Sequence, residues 1–201
     1  MTPDTPATTE DPNAVRASTL AIIVASAFVI GASETLVWLS MRGVMALGGF
    51  VASGGPYVIE HQAPGWIWLL PGAIIALVIA MQTSKGLSDS RDTPSLMLLA
   101  WSALFLTLGW NFLEFGLRAP GGGGLLIGWL IGAAAFFLTG GGGLYAFRES
   151  LKAQRELDQD KADRTGVYPV RPGFRAYQIA NGIALVAGVA AGWGLFTLLG
   201  H

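Results

Sequence analysis

The sequence predicts an all-α membrane protein, a bundle of about five transmembrane helices with a cytoplasmic N-terminus and an external C-terminus. Composition is the first reason: 52% of the 201 residues are hydrophobic and 12% are charged, whereas soluble domains carry about 25% charged residues. The second reason is that five stretches approach the roughly 20 apolar residues that a spanning helix needs. These stretches cover about 19–39, 66–82, 95–117, 124–147 and 174–199.

The segment before the first span, residues 1–18, is rich in proline, threonine and acidic residues. Such a composition is typical of a disordered, solvated tail. A secretory signal would begin with a basic region, whereas this segment is mostly acidic and the apolar run after it is long. We therefore interpret the first span as an uncleaved helix. Residues 19–201 then form a single transmembrane helical domain that follows a disordered cytoplasmic tail.

The positively charged residues predict the orientation, because they concentrate in cytoplasmic loops. Of the 12 lysines and arginines, only Arg42 and Arg118 fall on the side opposite the N-terminus. We therefore place the N-terminus in the cytoplasm and predict a multi-pass protein of the plasma (cytoplasmic) membrane. All tryptophans except Trp101 fall toward the outer side, as in an interfacial aromatic belt. Arginine also outnumbers lysine nine to three, which favours a GC-rich bacterial genome.

The fourth span contains four consecutive glycines, residues 140–143. Its tightly apolar part, 125–139, would cover roughly 22 Å as a helix, which is short of a hydrocarbon core about 30 Å thick. The glycines must therefore lie within the membrane or at its edge. Because each glycine weakens a helix, either neighbouring helices pack tightly against this run or the helix bends there.

The cytoplasmic segment 148–172 is highly charged in its first part. Residues 148–166 would extend the fourth helix out of the membrane, and Gly166 and Pro169 would end it. Three ion pairs at helical spacing would support the extension: Glu149–Lys152, Asp158–Lys161 and Asp160–Arg164. We favour a solvated spacer, and a helix that docks a partner is the alternative.

The external loop 41–65 is unusually apolar for a loop. Its residues 44–51 are too few to span the membrane. They would form a short interfacial or re-entrant helix that Gly54, Gly55 and Pro56 stop. A re-entrant segment is tolerated only where protein or a water-filled cavity covers its backbone.

Two carboxylates within the spans, Glu34 and Glu114, are the most unusual residues, because a charge in the bilayer must be paired, neutral or hydrated. One hypothesis is an outward-facing polar cavity in which a protonatable carboxylate carries a proton or binds a cation. Its candidate members are Glu34, Arg42, Glu60, His61, Asn111, Glu114 and Arg118. The alternative is structural: each carboxylate pairs with an arginine and fixes helix register. For Glu114 we favour this alternative, with Arg118 four residues later as its partner. For Glu34 the two hypotheses are balanced, since Arg42 lies past the predicted helix end.

The sequence offers little for catalysis, and we predict no enzyme, no cofactor and no bound metal. The chain contains no cysteine, which excludes disulfides, iron–sulfur clusters and thiolate zinc sites. The pair Glu60 and His61 falls short of the three protein ligands that a catalytic metal site uses. The glycine runs lack the Lys-Ser/Thr ending of a phosphate-binding loop. A net charge of −1 gives no indication of nucleic-acid binding.

Small residues recur every four positions in the last two spans, and such faces allow close helix packing. They are Gly124, Gly128 and Gly132 in the fourth span, and Ala176, Ala180, Ala184, Gly188 and Gly192 in the fifth. The partner of each face is a helix of this chain, a second copy or another protein. Contact within the chain is the default, because consecutive elements are usually neighbours.

Three functions remain open. We favour a structural or accessory subunit of a bacterial membrane complex, because catalytic groups are lacking and small-residue faces are present. The first alternative is a small oligomeric transporter or channel with Glu34 and Glu114 in a proton or cation path. The second is a membrane sensor that binds a ligand at loop 41–65 and signals through residues 148–164. The two halves share no spacing of charges or prolines, so an inverted-repeat transporter is not indicated.

Overall fold

A computed structural model describes residues 12–47, 64–89, 96–119, 124–166 and 174–199. The described residues form five α-helices and contain no strand. The helices are α1 (Pro12–Ala46), α2 (Leu69–Asp89), α3 (Leu96–Leu117), α4 (Ile127–Thr165) and α5 (Phe174–Leu199), and a 3₁₀ turn at Gly65–Trp68 leads into α2. Each of the five is long and apolar enough to cross a membrane. The prediction of an all-helical protein with five helices of membrane-spanning length and composition is thereby confirmed for the described residues.

Helix α1 is longer than the predicted span 19–39 at both ends. It begins at Pro12, so residues 12–18 of the expected disordered tail are helical, and it ends at Ala46. Residues 44–46 of the expected interfacial segment therefore belong to α1, and residues 48–51 of that segment lie outside the described residues. The consequence for the candidate site is that Arg42 lies on a helix, two turns after Glu34, and not in a loop.

Helix α4 begins at Ile127, so the predicted start near Gly124 is wrong by one turn. Its 39 residues correspond to roughly 58 Å of helix, about twice the thickness of the hydrocarbon core. The prediction that the charged segment continues the fourth helix is confirmed as far as Thr165. Two of the three expected ion pairs are present, Lys152 with Glu149 at 3.3 Å and Arg164 with Asp160 at 2.6 Å; the third stays a prediction.

The expected stop signal at Gly166 is confirmed by its backbone geometry. Gly166 has φ 70°, a left-handed conformation that costs other residues energy because of their Cβ atom. Its N–H donates to the carbonyl oxygen of Ala162 at 2.8 Å. This bond satisfies one of the carbonyl groups that the end of a helix leaves unpaired.

At the glycine run 140–143 the helix does not break, because α4 continues through it as a regular helix. Of the two expectations, tight packing is the one that the structure shows. A Cβ atom added at Gly140 would lie 2.8 Å from Leu106 Cγ on α3, and one at Gly143 would clash with Ser102 Oγ. The two glycines between them, Gly141 and Gly142, have no such neighbour within 4 Å. Half of the run therefore serves the α3–α4 contact.

Helix α1 is at the centre of the bundle. Among the described residues it packs against α2, α3 and α5, while α4 packs chiefly on α3. Of the apolar stretch of α1, 56% is buried inside the protein, against 17% in α4 and in α5. The exposed remainder of the outer helices is strongly apolar, with Ile75 61% and Ile183 66% exposed. Lipid is the solvent that suits such surfaces.

The contacts fix the relative direction of the helices. Along α1 and α5, Gly31 meets Leu185 and Trp38 meets Trp193, so these helices run parallel. Along α3 and α4, Gly116 meets Leu130 whereas Ser102 meets Gly143, so these two run antiparallel. Trp66 at the start of α2 contacts Gly43 near the end of α1. The helices therefore alternate in direction, as a chain that crosses a bilayer five times requires.

Candidate functional site between α1 and α3

An ion pair joins the ends of α1 and α3. Arg42 donates from Nη1 to Glu114 Oε2 at 2.6 Å and from Nη2 to Glu114 Oε1 at 2.8 Å. This fork-to-fork geometry is the strongest arrangement that arginine and a carboxylate form. The Arg42 guanidinium also lies 5.3 Å from the centroid of the Phe115 ring, within cation–π range. The two charged side chains are 35% and 33% exposed.

The partner of Glu114 differs from the one that the sequence predicts. Arg118 follows the last residue of α3 and is exposed, and its backbone N–H donates to the Glu114 carbonyl oxygen at 2.9 Å. Arg42, expected in the loop, takes the carboxylate instead. The physical reason is that α1 continues to Ala46, which carries Arg42 to the level of Glu114. Helical spacing alone favoured Arg118, but the helix ends before that residue.

Asn111 ties the same two helices together one turn deeper. Its side chain is 0% exposed, and Nδ2 donates to the carbonyl oxygen of Trp38 at 3.1 Å. Trp38 precedes Arg42 by four residues, and Asn111 precedes Glu114 by three, so the two contacts lie on adjacent turns of parallel helices. Together they fix the register of α1 against α3. This arrangement agrees with the structural interpretation of Glu114.

Glu34 lies on α1 one turn before Trp38. It is on the face that carries Ile30 and Val37, both of which are in the core. Its Oε1 atom is buried and has no hydrogen-bond donor among the described residues. Arg42 is not available to it, because both ends of that guanidinium bind Glu114. Of the two carboxylates in the predicted spans, Glu114 is therefore paired, and Glu34 has no partner among the described residues.

The seven candidate residues are thus divided among four places. Arg42, Asn111 and Glu114 lie together at the α1–α3 contact, and Glu34 lies deeper along the same helix. Arg118 is exposed beyond the end of α3, while Glu60 and His61 lie outside the described residues. Asn111 is fully buried, so it lines no open cavity in the described part of the chain.

Aromatic rings surround the ion-pair end of the bundle. Trp38 and Trp193 have ring centroids 6.1 Å apart, and Trp66 meets Phe196 at 5.4 Å. These contacts join α1, α5 and the turn before α2 at one level. The sequence analysis assigned the tryptophans only to a membrane interface; their mutual packing was missed because it depends on which helices are neighbours.

The predicted small-residue face of α5 packs within the chain, but on α1 and not on the preceding helix α4. Gly188 lies against the backbone of Phe28 and Ala32, and Gly192 against that of Ala32. Ala184 is buried and Ala180 is half-buried on the same face, and the side chain of Ala176 lies outside the described residues. The expected contact within the chain is therefore present for α5, and its partner is α1 because α1 presents Gly31 and Ala32 at the matching level.

The predicted face of α4 is only partly used. Gly132 lies against the Phe112 ring of α3, with 3.0 Å between its Cβ position and Cδ1. Gly124 precedes the helix, and neither it nor Gly128 has a neighbour within 4 Å of its Cβ position. The contact with α3 also uses Gly140 and Gly143, which lie on the same side of α4. The opposite side of α4 is exposed in the part of the chain that the structure describes.

The described residues contain no group of three His, Cys, Asp or Glu side chains that could hold a metal ion. The site joins two helices through an ion pair and an amide hydrogen bond, and the carboxylate of Glu34 beneath it has no partner in the part of the chain that the structure describes. Five apolar helices around such a contact define the class, an all-helical protein suited to a membrane. The chain matches no family model, no curated protein and no solved structure.

Proposed function

We propose that the protein is a structural or accessory subunit of a bacterial membrane complex, and that it docks its partner through the uncovered face of α4. The observation that carries the proposal is an alternation of small and large side chains on this face. The small members recur every seven residues and the large members follow three residues later. The small ones are Gly128, Ala135 and Gly142, and the large ones are Ile131, Leu138 and Tyr145.

This free face of α4 has the shape of a helix-packing seam. The large members are 66%, 78% and 67% exposed in chain order, and the two glycines have open space where a Cβ atom would be. A seven-residue repeat is the period with which two helices interlock along a shared seam. Glycine on a face turned only to lipid would cost helix stability, about 1 kcal/mol for each residue, with no packing in return.

The test is a change of one residue on the free face of α4. We expect wild-type protein, extracted from its native membrane in mild detergent, to have the native mass of a hetero-complex. Gly142→Leu fills the seam, so this variant should be extracted as a single chain. Its circular dichroism should show the same helix content as the wild-type protein. The matched control is Gly182→Leu on α5, where a Cβ atom also meets nothing within 4 Å; it should keep the partner.

Two outcomes would contradict the subunit proposal. Wild-type protein with the mass of a lone chain or a homo-oligomer would shift the assignment to transport or sensing. A partner that stays bound to Gly142→Leu would mean that the free face of α4 is not the docking surface. A partner that co-purifies with the wild-type protein supports the proposal only if Gly142→Leu no longer binds it.

We also propose that the N-terminus lies in the cytoplasm of the plasma membrane and the C-terminus outside, as the distribution of lysine and arginine favours. The chain has no native cysteine, so single cysteines can report the side. We expect a membrane-impermeant thiol reagent to label Ser53→Cys on intact cells and to label Ser88→Cys only after lysis. The reverse pattern would overturn the orientation.

A second candidate function is a small oligomeric transporter or channel with Glu34 and Glu114 in a proton or cation path. One observation favours it: Glu34 Oε1 is buried with no donor among the described residues. Because Arg42 binds both oxygens of Glu114, Glu34 is the carboxylate that would exchange a proton. This candidate predicts that Glu34→Gln abolishes proton or cation flux in proteoliposomes, and wild-type flux from that variant would remove Glu34 from the path.

A further inference from the structure

Two buried acceptor oxygen atoms, one on α1 and one on α3, have no hydrogen-bond donor among the described residues. They are Oε1 of Glu34 and Oδ1 of Asn111. The orientation of the Asn111 amide is fixed, because Nδ2 donates to the Trp38 carbonyl oxygen at 3.1 Å. Leaving one such acceptor buried without a donor costs its desolvation free energy with no hydrogen bond in return. Two of them on neighbouring turns of a helix contact therefore need a physical explanation.

The two residues lie at neighbouring levels of the bundle. Trp38, whose carbonyl oxygen accepts from Asn111, follows Glu34 by four residues, or about 6 Å of helix rise. Glu34 lies on the buried face of α1, between Ile30 and Val37 in the chain. Its flexible side chain and one bridging water molecule cover a distance of this size, and such waters commonly satisfy buried polar groups.

No cation is available to neutralise Glu34 within the described spans. The charged residues there are Glu34, Arg42, Lys85 and Glu114, followed by those of the α4 extension from Arg148 onward; the apolar span Gln178–Leu199 of α5 contributes none. Arg42 is bound to Glu114 through both terminal nitrogens, Nη1 and Nη2, and Lys85 lies at the opposite end of the bundle on α2. An unpaired carboxylate in this apolar surrounding is costly, so the neutral acid is favoured.

We propose that Glu34 and Asn111 form an internal proton-binding site, in which the neutral carboxyl group of Glu34 donates a hydrogen bond to Asn111 Oδ1, directly or through one buried water. The O–H group of the acid supplies the donor that Asn111 lacks, and the amide oxygen supplies the acceptor. If Glu34 were ionised, its carboxylate oxygen and Asn111 Oδ1 would both be acceptors, and no hydrogen bond could form between them. The ligand is a proton taken from bulk water, and the site is independent of the docking face on α4.

The experiment is infrared spectroscopy of the purified protein at neutral pH, in sodium-free buffer. We expect the carbonyl stretch of a protonated carboxyl group, shifted to lower frequency in D₂O. Glu34→Gln should lose this band, whereas Glu149→Gln, the same change at an exposed residue paired with Lys152, should keep it. Asn111→Leu should move the band to higher frequency, because it removes the acceptor.

Several results would overturn the proton-binding site. Wild-type protein without a protonated-carboxyl band would show that Glu34 is ionised, and this readout needs no variant to fold. A band that Glu34→Gln retains would belong to another residue, and a band that Asn111→Leu leaves unmoved would exclude the amide as acceptor. Loss of the band on addition of sodium would identify a metal cation as the occupant instead.

Discussion

Gly188→Ala is expected to destabilise the protein more than any other single methyl group added to α5. A Cβ atom at this position clashes with the Phe28 carbonyl oxygen and lies 3.0 Å from the backbone nitrogen of Ala32. Because these are backbone atoms of α1, they cannot rotate away, and the two helices must separate. Overpacking of this kind costs about 1–3 kcal/mol. The loss should appear as a lower melting temperature in detergent and in lipid.

The matched control for Gly188→Ala is Gly182→Ala on the same helix. Gly182 has no neighbour within 4 Å of its Cβ position, so the methyl group should leave the melting temperature unchanged or raise it through the better helix propensity of alanine. Gly31→Ala tests the same interface from α1, because its methyl group would clash with the Leu185 carbonyl oxygen. Equal stability of Gly188→Ala and Gly182→Ala would contradict the close α1–α5 contact.

The second large effect is expected from the Arg42–Glu114 ion pair. Arg42→Gln or Glu114→Gln leaves one charge without its partner at the ends of two helices. Each variant should lose more stability than the loss of a surface ion pair costs, which is typically about 0.2–1 kcal/mol. The double variant Arg42→Gln with Glu114→Gln should regain part of the loss, because it leaves no charge behind. We expect a coupling energy of about 1–3 kcal/mol in the double-mutant cycle.

The control for this cycle is Arg118→Gln, which removes the arginine that helical spacing alone assigns to Glu114. Because Arg118 is exposed beyond the end of α3, its replacement should change stability by less than about 0.5 kcal/mol. Additive effects of Arg42→Gln and Glu114→Gln would show that the two side chains do not interact. A larger effect of Arg118→Gln than of Arg42→Gln would restore the partner that the sequence favoured.

The candidate site shows where sequence reasoning reaches its limit. The sequence identifies Glu34, Arg42, Asn111 and Glu114 as unusual, because polar residues are rare within apolar spans. It does not identify which of them touch, because it places the end of the first helix near Leu39. Val44, Met45 and Ala46 continue the apolar pattern past Arg42. That continuation is the signal that would have placed Arg42 on α1, at the level of Glu114.

The sequence by itself determines the number of helices that are long and apolar enough to span a membrane, the charged extension of α4 and its end at Gly166. These features depend on local composition, since apolar length selects a helix for the membrane and glycine favours the left-handed conformation that ends one. Tertiary structure alone decides that α5 packs on α1, that half of the glycine run contacts α3, and that Arg42 binds Glu114. Each of these contacts depends on the rotation and neighbours of a helix, and residues far apart in the chain set both.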